Sequence, residues 1–409
     1  MSHTRILLGG VPFGCNNIGD EAILARVVEI VRQVSPSADI TVSTGDPVNT
    51  PSLLSVKTCP LYGFTDDARQ KELFVQTLSQ NDIFIWAGAT GLSDYPDTGL
   101  NCLVEAQKLG VKTIVFCTGM NDTLNPAHFR LSNGKKFALC SVLTAVCGYK
   151  IDFVKTYENR KERALRNRLK HVLDSCDLVV NRDQQSKTEL MRSELSTPPI
   201  VAADPAITLP LNNPSSALWG EDMMSFLSTH KKLIGVCISS QQALSEKKEF
   251  TNWLDKIVSK LGVGIVFIPM NPITDFECMA NLRDGMFKRS ESIIAQGSSA
   301  PDAVAGLASK MDIIISSRLH LLIFASISAT PCIGIGRGSK VSNFLSEFGF
   351  CTAGTTQKIK FDYLDKEVDK LFREKAMYQE ISIIVRQKML RRLEVGIKAL
   401  ADVVNPSYG

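Results

Sequence analysis

The sequence predicts an α/β protein of two Rossmann-like, doubly wound domains facing a cleft, with helices at the C-terminal end. Three observations carry this. The chain has 409 residues, beyond the size at which a single hydrophobic core keeps growing. Short apolar runs alternate with segments of helical spacing, and glycine, serine or asparagine marks the junctions, which is the pattern of parallel strands joined by crossover helices. The alternation pauses at Leu211-Asn-Asn-Pro-Ser-Ser-Ala217, a stretch of linker composition, and then restarts. The expected units are residues 1–210 and 225–360 as the two domains, 211–224 as the linker, and 361–409 as an amphipathic helical segment packing back across the junction.

In the first half, Arg5 to Gly10 reads as a strand. The following loop, Val11 to Asp20, is longer than a helix cap requires, and loops at this edge commonly carry ligands. A helix comes next, with Leu24, Val27, Val28 and Val31 on one face and Asp20 and Glu21 in its first turn, where the helix dipole favours negative charge. Ile40–Ser43, Asp82–Ala87 and Val111–Thr118 read as further strands, the last two running into turns at Gly88–Asp94 and Gly119–Asn125. From Asn125 to His171 the pattern is helical and irregular. Within it, Lys155 to Lys170 holds seven basic residues against two glutamates; a solvated helix face is preferred there to a membrane-contact patch. Asp177–Asp183 then reads as a strand delivering Arg182 at its carboxyl end, with a helix from Ser186 to about Leu195, and Ile200–Ala206 closes the half.

In the second half, strands are expected at Leu233–Ile238, Gly264–Met270, Ile313–Ile315 and Pro331–Gly336. Helices are expected at Lys248–Leu261, at Pro301–Lys310 with Ser299 nearby as a cap, and from Arg337-Gly-Ser-Lys340 to about Phe348. The most informative stretch is Ile313 to Ala325. A β-branched apolar run is followed by Ser316 and Ser317 as candidate N-caps and by Leu319, Leu322 and Ile323 at helical spacing. Arg318 and His320 therefore sit where a strand gives way to a helix, the edge at which open α/β sheets bind ligands. Helix-start N–H groups attract anions, arginine offers a two-pronged donor, and histidine moves protons near neutral pH. Together they suit a small anionic substrate that is both held and protonated. The alternative is a buried arginine and histidine satisfied by backbone carbonyls.

Composition bounds the function. Hydrophobic residues at 44% and charged residues at 22% are those of an ordinary soluble globular protein. A net charge of +4 is too small to argue for nucleic acid, and fits an acidic small molecule or weak attraction to an anionic membrane surface. Eleven cysteines include no C-x-x-C pair, and Cys117 and Cys237 lie in apolar runs; reduced, buried thiols in a cytoplasmic setting are expected, not disulfides or zinc ligands. The first ten residues are too poor in apolar side chains for a signal peptide, and no stretch reaches membrane-spanning length. Metal-ligand spacing, a Walker pattern and a full G-x-G-x-x-G are missing, so no metal, nucleotide hydrolysis or dinucleotide is expected. His3, His128, His171 and His230 have no setting comparable to that of His320.

Three stretches in order resemble the polysaccharide pyruvyl transferase family. Asn17-Ile-Gly-Asp-Glu-Ala-Ile-Leu24 is similar to its G-N-I-G-D-E-A-I-L. Arg182-Asp183 with Ser186 is similar to its R-D-x-x-S, followed here by Asp204-Pro205-Ala206. Ser317-Arg318-Leu319-His320, with Phe324-Ala325 and then Lys340, is similar to its S-x-R-L-H … F-A … K. The chain departs from the family at Gly88-Ala-Thr-Gly91, where G-G-G is usual, and in the long region Met120 to Asn159.

The resemblance implies a fold similar to GT-B glycosyltransferases and transfer of a pyruvyl group from phosphoenolpyruvate to a sugar, or to a lipid-linked oligosaccharide, giving a cyclic ketal in cell-surface or exopolysaccharide assembly. It implies His320 as general acid and Arg182 and Arg318 as the clamp on the donor, with Ser317 and Leu319 beside them and Lys340 as a weaker partner. Asn17, Gly19 and Asp20 would order the first loop and meet the acceptor, Asp20 either as base or as a helix cap. No cofactor is implied, phosphoenolpyruvate being a substrate. Peripheral contact with the inner face of a membrane and the oligomeric state stay open. The rivals are a GT-B nucleotide-sugar glycosyltransferase and a non-catalytic glycan-binding relative.

Overall fold

A computed structural model of the chain describes residues 3–64, 67–242 and 244–405. Met1 and Ser2 of the first expected domain, and 406–409 of the expected C-terminal segment, lie outside the described residues. Apolar runs such as Ile6-Leu7-Leu8 and Ile313-Ile314-Ile315 have no exposed surface, as strands covered on both faces require. The first sheet contains β1 (Arg5–Gly9), β2 (Asp39–Thr44), β3 (Lys57–Pro60), β4 (Ile83–Ala87), β5 (Lys112–Thr118), β6 (Leu178–Asn181) and β7 (Ile200–Val201). Its order is β3-β2-β1-β4-β5-β6-β7, with every pair parallel. The second contains β8 (Leu233–Cys237), β9 (Gly264–Phe267), β10 (Ser292–Ile294), β11 (Ile313–Ser316) and β12 (Cys332–Gly334), in the parallel order β10-β9-β8-β11-β12.

Both sheets reverse strand order once, between β1 and β4 and between β8 and β11. A crevice at the carboxyl ends of the strands opens at each such switch point. The two crevices face each other. The helix Ile18–Val34 touches the helices Pro301–Ala308 and Leu319–Ile327 of the second half, and the Ile18 N–H donates to the Met270 carbonyl at 3.0 Å. The final helix, Lys375–Val404, runs back onto β6, β7 and the Ile18–Val34 helix. It lies so close that a Cβ on Gly396 would sit 2.9 Å from the Cβ of Ala202.

Some elements differ from the expectation. β3 and β10 are short edge strands containing proline or serine, too brief for a period-two pattern to register. The helix Thr274–Asp284 carries three acids, an asparagine and an arginine and buries only Asp275, Met279 and Leu282, so its apolar stripe is weak. The stretch expected as linker, 211–224, is partly helical: helical turns span Ser216–Thr229, broken at Gly220 by a left-handed φ of 77°, with Trp219 and Met223 buried on either side of the kink. Ser299 does not cap the helix at Pro301: Ala300 holds the cap position, and its N–H donates to the Ser298 hydroxyl. Among the described residues no helix is long and apolar enough to cross a membrane, and no three His, Cys, Asp or Glu side chains are grouped to hold a metal.

Candidate active site

A cleft of about 430 Å³ lies between the two sheet edges. Of the residues singled out from the sequence, Asn17, Asp20, Arg182, Arg318, Leu319, His320 and Lys340 line it, while Gly19 and Ser317 do not.

The β11 exit is a tight turn. The Ser316 hydroxyl accepts the Arg318 N–H and donates to the Arg318 carbonyl, both at 2.9 Å. Arg318 itself occupies the cap position of the Leu319–Ile327 helix, so neither serine is its N-cap. The buried Ser317 hydroxyl accepts the Ser239 N–H at 2.8 Å, tying the exit of β11 to that of β8; this corrects its expected place at the ligand. The Arg318 guanidinium is held by Asp275, through Nε to Oδ2 at 2.8 Å and Nη2 to Oδ1 at 2.7 Å. Asp275 is fully buried and also accepts the N–H and hydroxyl of Ser240. Only Nη1 of Arg318 stands outside this ion pair. The expected two-pronged clamp is therefore directed inward, because a fully buried carboxylate needs a full counter-charge.

His320 sits between Gly19 and Asp204. A Cβ on Gly19 would be 2.1 Å from Nδ1 of the ring, so the backbone there must be glycine for the imidazole to fit. Gly19 thus makes room for the histidine and does not itself face the cleft. Nε2 lies 3.5 Å from Asp204 Oδ2 and is buried without a hydrogen bond. Asp204 caps the short turn Pro205–Thr208 by accepting the Ala206 N–H, and Arg182 Nη1 approaches the same Oδ2 at 3.5 Å. Burial opposes charge on Asp204, but His320 and Arg182 outweigh it and hold the carboxyl below the usual aspartate range. Arg182 lies across Gly119, where a Cβ would come within 2.5 Å of Cζ, and its Nε donates to Asp183 at 3.2 Å.

The first loop is organised by Asn17. Its Oδ1 accepts the Gly19 N–H at 3.2 Å as the helix cap, and its Nδ2 donates to Asp20 Oδ2 at 2.6 Å. Capping therefore belongs to Asn17, and Asp20 is turned to the cleft. Burial raises the Asp20 carboxyl above its ordinary range, with His320 and Lys340 opposing but not cancelling the effect. Behind it Glu21 is pushed up to about 7 by burial, although it accepts the Gly14 N–H at 2.7 Å. In the turn after β4, Gly88 and then Ala89 take left-handed φ of 74° and 58°. Such a conformation suits glycine and strains alanine.

The sequence reading missed Arg337 and Asp94 and left Asp204 without a role. Arg337 Nη1 donates to the Ser239 hydroxyl at 3.1 Å and to Gln241 Oε1 at 2.5 Å; among the described residues no carboxylate is within ion-pair distance. Burial and the nearby Arg318 pull it below the usual arginine value. Lys340 is drawn down to about 8 by burial and then by Arg337, with Asp94 3.9 Å away acting in the opposite sense. Asp94 accepts from the Thr90 hydroxyl and from Asn121 Nδ2, each at 2.5 Å. Arg337 was legible in principle: it follows β12 as Arg182 follows β6 and Arg318 follows β11.

The description of the family model that matches residues 17–339 is polysaccharide pyruvyl transferase. No curated protein sequence matches the chain. Solved structures share its fold. A UDP-N-acetylglucosamine 2-epimerase has a TM-score of 0.61 and 12% identity, covering 100% of this chain and 98% of its own. The Neisseria meningitidis UDP-GlcNAc 2-epimerase bound to UDP-GlcNAc has a TM-score of 0.58 and 10% identity, with coverage of 98% and 99%. Anabaena HepE in complex with UDP-glucose has a TM-score of 0.57 and 12% identity, with coverage of 99% and 100%. The architecture is GT-B-like, as the sequence predicts.

Proposed function

The chain belongs to the polysaccharide pyruvyl transferase family, and on that premise we propose that it moves the pyruvyl group of phosphoenolpyruvate onto a sugar of a cell-surface or exopolysaccharide, as a ketal. The observation that supports this reading best is the meeting of Arg182 from one sheet with His320, Arg337 and Lys340 from the other around a single cleft. The donor carries a carboxylate and a phosphate, and these cations suit both.

The chemistry assigns a role to each residue. His320 gives its proton to the methylene carbon of the enol, and C2 becomes oxocarbenium-like. A sugar hydroxyl adds to C2, its proton passing to Asp20, whose raised carboxyl holds a proton more firmly than an ordinary aspartate. Phosphate then departs with the C–O bond electrons, carrying away that proton. The second hydroxyl captures C2 and closes the ketal, and its proton restores His320. Asp204, kept ionised, supplies the counter-charge to an imidazolium and fixes the ring against Gly19. Arg337 and Lys340 hold the donor's anionic groups, with Nη1 of Arg318 as a third contact.

The test is incubation with phosphoenolpyruvate and a panel of sugars, following inorganic phosphate and the mass of the ketal. Phosphate release that depends on both substrates supports the reading. Turnover only with a nucleotide-sugar would overturn it.

A further inference from the structure

We propose that the two helices Lys135–Val146 and Phe153–Asp174 form a docking hairpin for an anionic lipid bilayer. The inference does not depend on the identity of the donor. The first helix buries none of its residues. Its half-buried positions, Phe137, Cys140, Ser141 and Thr144, with Cys147 just beyond its end, fall at helical spacing on the face toward its neighbour. The opposite face is apolar and bare: Leu139 is 61% exposed, Val142 58% and Val146 77%, and Tyr149 in the connecting turn is 77% exposed. An apolar face of this kind on a surface helix calls for a cover.

Charge says what covers it. Residues 130–170 hold eleven Lys and Arg against three Asp and Glu, a local net charge of +8 in a chain whose total is +4. The cations also divide by position. At the base of the hairpin Arg166 meets Glu162 and Glu189, Arg168 meets Asp97, and Lys170 meets Asp174. By contrast Lys135 and Lys136 at the start of the first helix, Lys150 in the connecting turn, and Lys155, Arg160 and Arg163 along the second helix have no ion-pair partner among the described residues. Bare apolar side chains flanked by unpaired cations match the acyl boundary and the headgroups of an anionic leaflet. A second copy of the chain fits poorly, because a two-fold contact through this face would set +8 against +8. The base is tied to the helix Pro96–Lys108, which directly follows the cleft residues Asp94 and Tyr95, so the bilayer would lie on the first-domain side of the cleft.

The experiment is sedimentation of the full chain with vesicles of equal parts phosphatidylglycerol and phosphatidylcholine, or of phosphatidylcholine alone, at low and high salt. Binding is expected to the mixed vesicles at low salt and to fall as salt rises. L139D/V142D and, separately, K135E/K136E are each expected to weaken it about tenfold or more, the latter with a flatter salt response. These side chains are exposed, so an unchanged circular dichroism spectrum is expected for both. Three results would each overturn the proposal: no binding to mixed vesicles, equal binding to both compositions, or variants that bind like the parent. So would a dimer in solution that L139D/V142D dissociates, which would assign the face to a second copy.

Discussion

The two sheets turn their carboxyl edges toward one cleft with opposite chemistry. The first edge brings carboxylates and amides: Asp20, Asp94, Asn17, Asn121 and Asn125. The second brings Arg318, His320, Arg337 and Lys340. Arg182 and Asp204 form the seam, since Asp204 lies 3.5 Å from both Arg182 and His320. On the proposed reaction this division separates the substrates. The anionic donor belongs against the second edge, and a neutral polyol, whose hydroxyls want acceptors and donors in equal measure, belongs against the first. A second contrast lies within the cationic edge. Arg318 and Arg337 leave neighbouring strands, yet Arg318 is spent on a buried carboxylate while Arg337 meets only a hydroxyl and an amide. Position at a strand end brings an arginine to a site; its partners decide whether its charge reaches the ligand.

The largest expected effect tests the proton carrier on the second edge. His320→Ala should lower kcat about a thousandfold, the scale of a lost general acid, with little change in phosphoenolpyruvate affinity by calorimetry. Near-normal turnover would remove His320 from that role.

Next comes the contrast between the arginines. Arg318→Ala strands Asp275 and should cost about 3–5 kcal/mol in chemical denaturation, whereas Arg337→Ala should leave stability nearly unchanged. Arg337→Ala should instead raise the KM for phosphoenolpyruvate about tenfold to a hundredfold, as the loss of charge-assisted hydrogen bonds does. Equal stability losses in the two variants would erase the distinction.

The smallest effect is a pH dependence. The Lys340 ammonium is held down to about 8 from the ordinary lysine value, so the cation is present below that pH and lost above it. Affinity for phosphoenolpyruvate, read by calorimetry, should fall as pH rises through about 8, and Lys340→Met should remove that fall.

Much of the fold was legible because it rests on local signals. Apolar runs, glycine turns and helical spacing marked most strands of both sheets, the edge strands β3 and β10 excepted, and the arginines at 182 and 318 stood out from their position after a strand. What stayed hidden depends on contacts between distant segments. Asp275 occupies a helix with too weak an apolar stripe to read, and its pairing with Arg318 exists only once β9 and β11 are brought together. Asp204 could be quoted as part of a motif, but its neighbours Arg182 and His320 come from different domains. Leu139, Val142 and Val146 fit a helix from their spacing, but a sequence cannot say that they stand exposed. Ser317 was misread because a serine before a helix resembles a cap, whereas here its hydroxyl joins two strand ends.

Titration calorimetry of phosphoenolpyruvate into the parent chain and into Arg337→Ala tests the division of the cleft most directly. The account expects the parent to bind phosphoenolpyruvate and the variant to bind it tenfold to a hundredfold more weakly, the value of the charge-assisted hydrogen bonds removed. A parent that ignores phosphoenolpyruvate yet binds a UDP-sugar, or a variant that binds as well as the parent, would contradict it.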